Sequence, residues 1–185
     1  YCLMSPLSYY YSSVLPPAPA FLLLVMSLVF IVAGGYVIND YFDVEIDKYN
    51  KPDKLLITKV FSEKDAIFSY RILTFVGLSL GLASSIVALN VKFYMLFAIL
   101  ILLTCLLYSY SRTYKKKLVL GNIIVSFSVA IAVFLPYLFE ILYLSENLLL
   151  LSVCKEIVIT IVYFVLIYTI FAFLLTFIRE IVKDA

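Results

Sequence analysis

Five apolar runs, each long enough to cross a bilayer, limit what this chain can fold into. They cover residues 21–42, 66–89, 93–111, 118–143 and 157–178. A spanning helix needs about 20 such residues, so the expected fold is an all-α, polytopic transmembrane bundle with about five spanning helices. Composition agrees: 65% of residues are hydrophobic and 14% charged, with a mean hydropathy of +1.10. A soluble domain is nearer half apolar and a quarter charged. The 185 residues make one transmembrane domain, 1–185, without room for a soluble second one. Residues 1–20 contain Pro6, Pro16, Pro17 and Pro19 and lack the basic start and continuous apolar core of a signal peptide. They are expected to be a lead-in or the remnant of an earlier helix. Tyr1 is not an initiator Met and Ala185 directly follows a charged cluster, so the chain is expected to be truncated at both ends.

Within the runs, Gly34-Gly35 and the Gly77/Gly81 pair are expected to bring helices close together. Pro136, late in the fourth run, is expected to end or kink it. The chain has no histidine, which excludes imidazole chemistry and His-ligated metals. Cys2, Cys105 and Cys154 are far apart and suit small packing residues, not a disulfide framework or metal site. The net charge of +2 and the lack of a suitable basic run argue against nucleic-acid binding.

Charge sets a topology. Lys48, Lys51, Lys54, Lys59, Lys64 and Arg71 follow the first run, Arg112, Lys115, Lys116 and Lys117 the third, and Arg179 and Lys183 the fifth. Of the 14 basic residues only Lys92 and Lys155 fall on the other side. The positive-inside rule makes the rich side cytoplasmic. The expected protein is an integral, multi-pass plasma-membrane protein with its acidic site facing the cytoplasm.

That site begins where the first run ends, at Asn39-Asp40-Tyr41-Phe42-Asp43-Val44-Glu45-Ile46-Asp47. On a helix advancing about 100° per residue, Asp40, Asp43 and Asp47 lie near 100°, 40° and 80° from Asn39. One amide and three carboxylates therefore share a face, while Glu45 and Lys48 point elsewhere. Three carboxylates at the mouth of a membrane helix repel one another and lose hydration. A hard divalent cation relieves both, and Mg²⁺ is usually held by one or two carboxylates plus substrate phosphates. The bland alternative is a solvated helix end with scattered acids.

A second acidic patch, Arg179-Glu180-Ile181-Val182-Lys183-Asp184, closes the fifth run. Glu180 and Asp184, four apart, share a face. Two acid clusters at matching depth could hold two Mg²⁺ ions around a diphosphate, neutralising the leaving group. The basic stretch Tyr110-Ser111-Arg112-Thr113-Tyr114-Lys115-Lys116-Lys117 supplies cations for phosphate oxygens. It equally suits a topology signal and lipid-headgroup contact. Lys51 and Lys54 carry the same ambiguity. Aromatic faces can stabilise a cation. Tyr36, Tyr41 and Tyr108 are the candidates near the mouth, and most other aromatics suit lipid-facing, core or interface positions.

Asn39-Asp40-x-x-Asp43-x-x-x-Asp47 resembles the first signature of the UbiA superfamily of intramembrane prenyltransferases. Arg179-Glu180-x-x-x-Asp184 is similar to the start of its second Asp-rich signature, with either Glu180 or Asp184 as the first acid of that motif. Tyr108-Ser109, the Lys115–Lys117 run and Gly121-Asn122 are similar to its central loop. The likeness extends from Phe21 to Ala185. It implies a helical bundle around a cavity open to the membrane for a polyprenyl tail. It also implies Mg²⁺-dependent prenyl transfer from a diphosphate to an acceptor. On that resemblance Asp40, Asp43, Asp184 and Arg179 are catalytic. Asn39, Lys51, Tyr108, Arg112, Lys115 and Asn122 bind substrate. Asn39, Asp40, Asp43, Asp47, Glu180 and Asp184 hold metal.

Together with Asn50-Lys51-Pro52, these motifs look most like the branch that adds a second geranylgeranyl chain to a glycerol-phosphate ether lipid. The expected partners are a prenyl diphosphate, a membrane lipid acceptor and the bilayer. An aromatic acceptor, a quinone or haem precursor, is the alternative within the family. A cation-coupled transporter is the rival from another class, since intramembrane acids also mark ion paths. Here, however, the acids gather at one end and not at mid-membrane. A CDP-alcohol phosphotransferase fits poorly, because Asp43 is followed by Val44-Glu45 where that family has Asp-Gly and then Ala-Arg. An assembly protein without chemistry leaves the co-facial acids unexplained.

Overall fold

The computed structural model describes residues 18–50, 57–58, 60–88, 93–146 and 155–184, so the expected lead-in falls outside it except for its last three residues. Five helices follow in order: α1 (Ala18–Asn50), α2 (Glu63–Val87), α3 (Phe93–Arg112), α4 (Leu118–Glu146) and α5 (Lys155–Asp184). A 3₁₀ turn, Tyr114–Lys116, joins α3 to α4. All five helices are long and apolar enough to cross a membrane. The chain is a multi-pass membrane protein, as its apolar runs require.

The first run does not stop where its hydrophobicity ends. α1 continues through the acidic stretch to Asn50, so the carboxylates do lie along a helix. Between α1 and α2 the chain is pinned by a small apolar cluster of Val44, Ile57 and Ala66, with Val37 and Tyr41 packed on it. Thr58, in the left-handed region at φ 85°, turns the backbone there. Its N–H donates to the Phe61 carbonyl at 2.7 Å. Ser62 then opens α2 with a capping box: Asp65 N–H donates to Ser62 Oγ at 3.2 Å, and Ser62 N–H donates to Asp65 Oδ2 at 3.1 Å. Such a cap contributes about 1 kcal/mol.

Small residues bring α1 and α2 together. A Cβ on Gly77 would stand 2.8 Å from Ile31 Cγ1. Ser27 Oγ donates to the Gly77 carbonyl at 2.7 Å, and Ser84 Oγ to the Ala20 carbonyl at 2.6 Å. Side-chain hydrogen bonds across close backbones hold helices together where lipid supplies little hydrophobic drive. The main core adjoins this contact, and Ile31 belongs to both. Leu24, Leu28 and Ile31 pack with Leu96, Leu100 and Leu103 of α3 and with Leu135 and Phe139 of α4. Spacings of three and four residues put each set on one helical stripe.

α5 packs against α4 and makes no comparable contact with α1. Pro136 does not end α4, which runs ten residues further to Glu146. A proline takes one donor from the ladder, the one facing the Ala132 carbonyl. Membrane helices tolerate this because the other ladder bonds, sealed from water, still hold the segment.

Candidate functional site: an acid face closed by a loop lysine

The α3–α4 connection explains how a lysine from the middle of the chain reaches the end of α1. α3 closes with Thr113 N–H donating to the Ser109 carbonyl at 3.0 Å. The 3₁₀ turn closes with Lys117 N–H donating to Tyr114 at 2.9 Å, and Gly121 N–H donates back to Lys117 at 2.8 Å. The turn lies directly on α4, since a Cβ on Gly121 would stand 2.6 Å from the Tyr114 carbonyl oxygen. Glycine is needed there because nothing larger fits between the two backbones.

From this turn Lys115 reaches α1. Its Nζ donates to Asn39 Oδ1 at 3.0 Å and forms an ion pair with Asp43 Oδ2. Asn39 Nδ2 donates to the same Asp43 oxygen at 3.3 Å, closing a three-membered polar ring. The Asp43 and Lys115 side chains are 15% and 23% exposed. Lys117 instead turns over the Tyr114 ring, 5.6 Å from its centre. Arg112 is exposed, and its Nη1 donates to Tyr108 OH at 3.5 Å.

Asp47 is half-buried and Asp40 more open, both on the α1 face that carries Asp43. Below them the same face is apolar. Leu28, Val29, Val32, Ala33 and Tyr36 line an open groove of about 400 Å³, with Tyr36 69% exposed. Beside the acids stands an aromatic wall. Tyr108 meets Phe42 edge-on at 6.1 Å and stacks on Tyr70 at 6.2 Å. Tyr70 and Tyr108 also line a smaller groove of about 290 Å³ with Thr104, Cys105 and Ser109.

Of the residues singled out in the sequence, Asn39, Asp43 and Lys115 come into direct contact, and Tyr108 meets the ring of Phe42, the residue before Asp43. Asn122 is buried, 5% exposed, at the start of α4. Tyr41 packs into the Val44 cluster, away from the acid face. Glu180 is buried on α5, 8% exposed, and Arg179 is exposed. The side chain of Asp184, like the whole of Lys51, lies outside the described residues. Phe42 and Tyr70 were not picked out from the sequence. Phe42 adjoins Asp43 and had a positional signal, whereas Tyr70 depends on how α2 and α3 align.

Among the described residues no three His, Cys, Asp or Glu side chains group closely enough to form a metal-binding cluster. The donor set nevertheless fits Mg²⁺. Asn39, Asp40, Asp43 and Asp47 offer oxygen donors, which a hard cation prefers, and one or two carboxylates suffice when substrate phosphates complete the shell. The Lys115 ammonium, seated on Asn39 Oδ1 and Asp43 Oδ2, demonstrates that these two oxygens accept one cation together.

The profile of the UbiA prenyltransferase family matches residues 2–185. Among curated relatives, the chain is 37% identical over 153 residues to the digeranylgeranylglyceryl phosphate synthase of Saccharolobus solfataricus, covering 83% of this chain and 46% of that protein. It is 38% identical over 108 residues to the protein of that name from Methanococcus maripaludis strain C7, covering 57% and 35%. It is 31% identical over 156 residues to that from Hyperthermus butylicus, covering 84% and 46%. The chain thus spans less than half the length of these relatives. No solved structure matches it. The acid face of α1, the lysine that closes it and the match along nearly the whole sequence agree: this chain belongs to the UbiA prenyltransferase family.

Proposed function

We propose that the protein transfers a polyprenyl group from a prenyl diphosphate to a membrane lipid acceptor. The best-supported pair is geranylgeranyl diphosphate as donor and geranylgeranylglyceryl phosphate as acceptor, after the name that the relatives carry. The observation that carries this reading is the convergence of Lys115 with Asn39 and Asp43, more than 70 residues away in sequence. It sets a phosphate-binding cation beside carboxylates at the end of a spanning helix.

In this reading Asn39, Asp40, Asp43 and Asp47 hold Mg²⁺ from α1, and Glu180 and Asp184 from α5. When bound, Mg²⁺ neutralises the diphosphate leaving group. Lys115 and Arg112 bind diphosphate oxygens, with Lys51, Asn122 and Arg179 completing the polar shell. The allylic C–O bond breaks and the diphosphate leaves with the electron pair. Tyr108, backed by Phe42 and Tyr70, offers its ring face to the positive carbon. The acceptor hydroxyl oxygen forms the new C–O bond and gives up its proton to the released diphosphate.

The prenyl tail lies along the apolar groove of α1. Leu28 to Asp40 rises about 18 Å, and a four-unit prenyl chain extends to about 20 Å by ordinary bond geometry. In this reading the acid face lies on the cytoplasmic side of the plasma membrane, an orientation that the bias of the basic residues favours.

The test uses the full-length protein in membranes with labelled geranylgeranyl diphosphate and geranylgeranylglyceryl phosphate. Product is expected with Mg²⁺ and lost with a chelator or with Asp43→Asn. No product from this pair, or undiminished product from Asp43→Asn, overturns the reading.

A further inference from the structure

The geometry points to a second role for Lys115: its ammonium is the resident cation of the acid face while the site is empty, and a metal ion enters by displacing it. This rests on the prenyl-transfer reading of the same site. Lys115 Nζ sits on Asn39 Oδ1 at 3.0 Å and on Asp43 Oδ2, the two oxygens best placed to share one cation. The Asn39 amide is turned to suit, with its oxygen toward the ammonium and its Nδ2 donating to Asp43 at 3.3 Å.

Among the described side chains, the other cations of the loop do not share this seat. Arg112 faces Tyr108, and Lys117 lies over Tyr114. Three carboxylates on one face need a counter-charge when no metal is bound. A lysine on a flexible four-carbon stem supplies one that can leave.

The consequence is coupling. Metal alone must compete with Lys115, whereas metal arriving with a diphosphate offers the displaced ammonium a new anionic partner. The site therefore resists loading by metal until the anionic donor is present, and by reciprocity metal favours the donor.

The probe is Mn²⁺, an oxygen-preferring stand-in read by electron paramagnetic resonance, added to the full-length protein without diphosphate. Lys115→Met is expected to bind Mn²⁺ about tenfold more tightly than wild type, and Lys117→Met to stay near wild type. Inorganic diphosphate should then tighten Mn²⁺ binding more in wild type than in Lys115→Met. An affinity for Lys115→Met equal to or below that of Lys117→Met overturns the proposal.

A second measurement needs no variant. In wild type, saturating Mn²⁺ should raise the amine-reactive labelling of Lys115, read by mass spectrometry, and leave Lys117 unchanged. Bound Mn²⁺ without that rise overturns the resident-cation role and leaves prenyl transfer standing. A wild type that binds no Mn²⁺ and forms no product overturns both.

Discussion

The two acidic helix ends have similar chemistry and different support. The acidic end of α1 is held by the Val44–Ile57–Ala66 cluster, by α2 at Gly34 and α3 at Gly35, by Tyr108 against Phe42, and by Lys115 from the loop. The end of α5 hangs on a helix that packs against α4, and whose most apolar stretch buries no residue. A carboxylate needs a fixed position to act as a ligand, and position comes from packing. The α1 acids are therefore built into a scaffold. Glu180 is buried at its own helix end, on a helix packed chiefly against α4.

The sharpest way to break this contrast is to neutralise one carboxylate at each end. Asp43→Asn removes the charge that meets Lys115. Turnover of the full-length protein is expected to fall about 10²–10³-fold, the scale for losing one preorganised electrostatic group. Glu180→Gln, at the end with fewer contacts, should fall by a factor at least tenfold smaller. Prenyl-transfer rates under saturating Mg²⁺ decide it, and equal losses would erase the distinction.

Packing is the next largest effect. Gly77→Leu forces a side chain against Ile31 at the α1–α2 contact and should cost about 1–3 kcal/mol or more. Leu175→Ala, on an exposed face of α5, should stay within about 0.5 kcal/mol. Reversible unfolding in mixed micelles measures both, and a larger loss at position 175 would reverse the comparison.

Tyr108→Leu removes the ring between Phe42 and Tyr70 and should slow turnover about tenfold, within the range of a cation–π contact. Tyr36→Leu, on the open groove, should change it less. The smallest effect belongs to the cap: Ser62→Ala should lower stability by about 1 kcal/mol and leave the metal dependence of turnover unchanged.

Much of this was legible in the residues. Hydrocarbon demands long apolar runs, so the five helices could be read directly. Helical periodicity put Asn39, Asp40, Asp43 and Asp47 on one face, and Lys115 stood out as part of a basic run. What periodicity could not supply was the partner of each residue. Nothing in the order of residues 115–117 says that the first lysine meets Asp43 while Lys117 turns over Tyr114. That choice follows from the 3₁₀ turn and its close approach at Gly121. Tyr41 looked like a mouth residue because of its neighbours in sequence, yet the loop at Ile57 folds back and takes it into an apolar cluster. Pro136 was expected to end or kink its helix on a rule drawn mainly from water, where freed backbone groups find solvent. Within a bilayer, neighbouring groups and local adjustments re-satisfy the freed carbonyl, and the helix does not end at Pro136.

The serine-to-carbonyl bonds between α1 and α2 also bear on the order in which the chain assembles. Both bonds, and the Gly77 contact beside them, lie within the first two described helices. A hairpin of α1 and α2 can therefore pair as soon as residue 87 has entered the membrane. Lys115 is then still to emerge from the ribosome. At usual elongation rates of about 5–20 residues per second, the α1 carboxylates wait on the order of seconds for their lysine. During that interval the nascent hairpin carries its acids without that counter-charge, which favours keeping the end of α1 at the aqueous surface until the α3–α4 turn arrives.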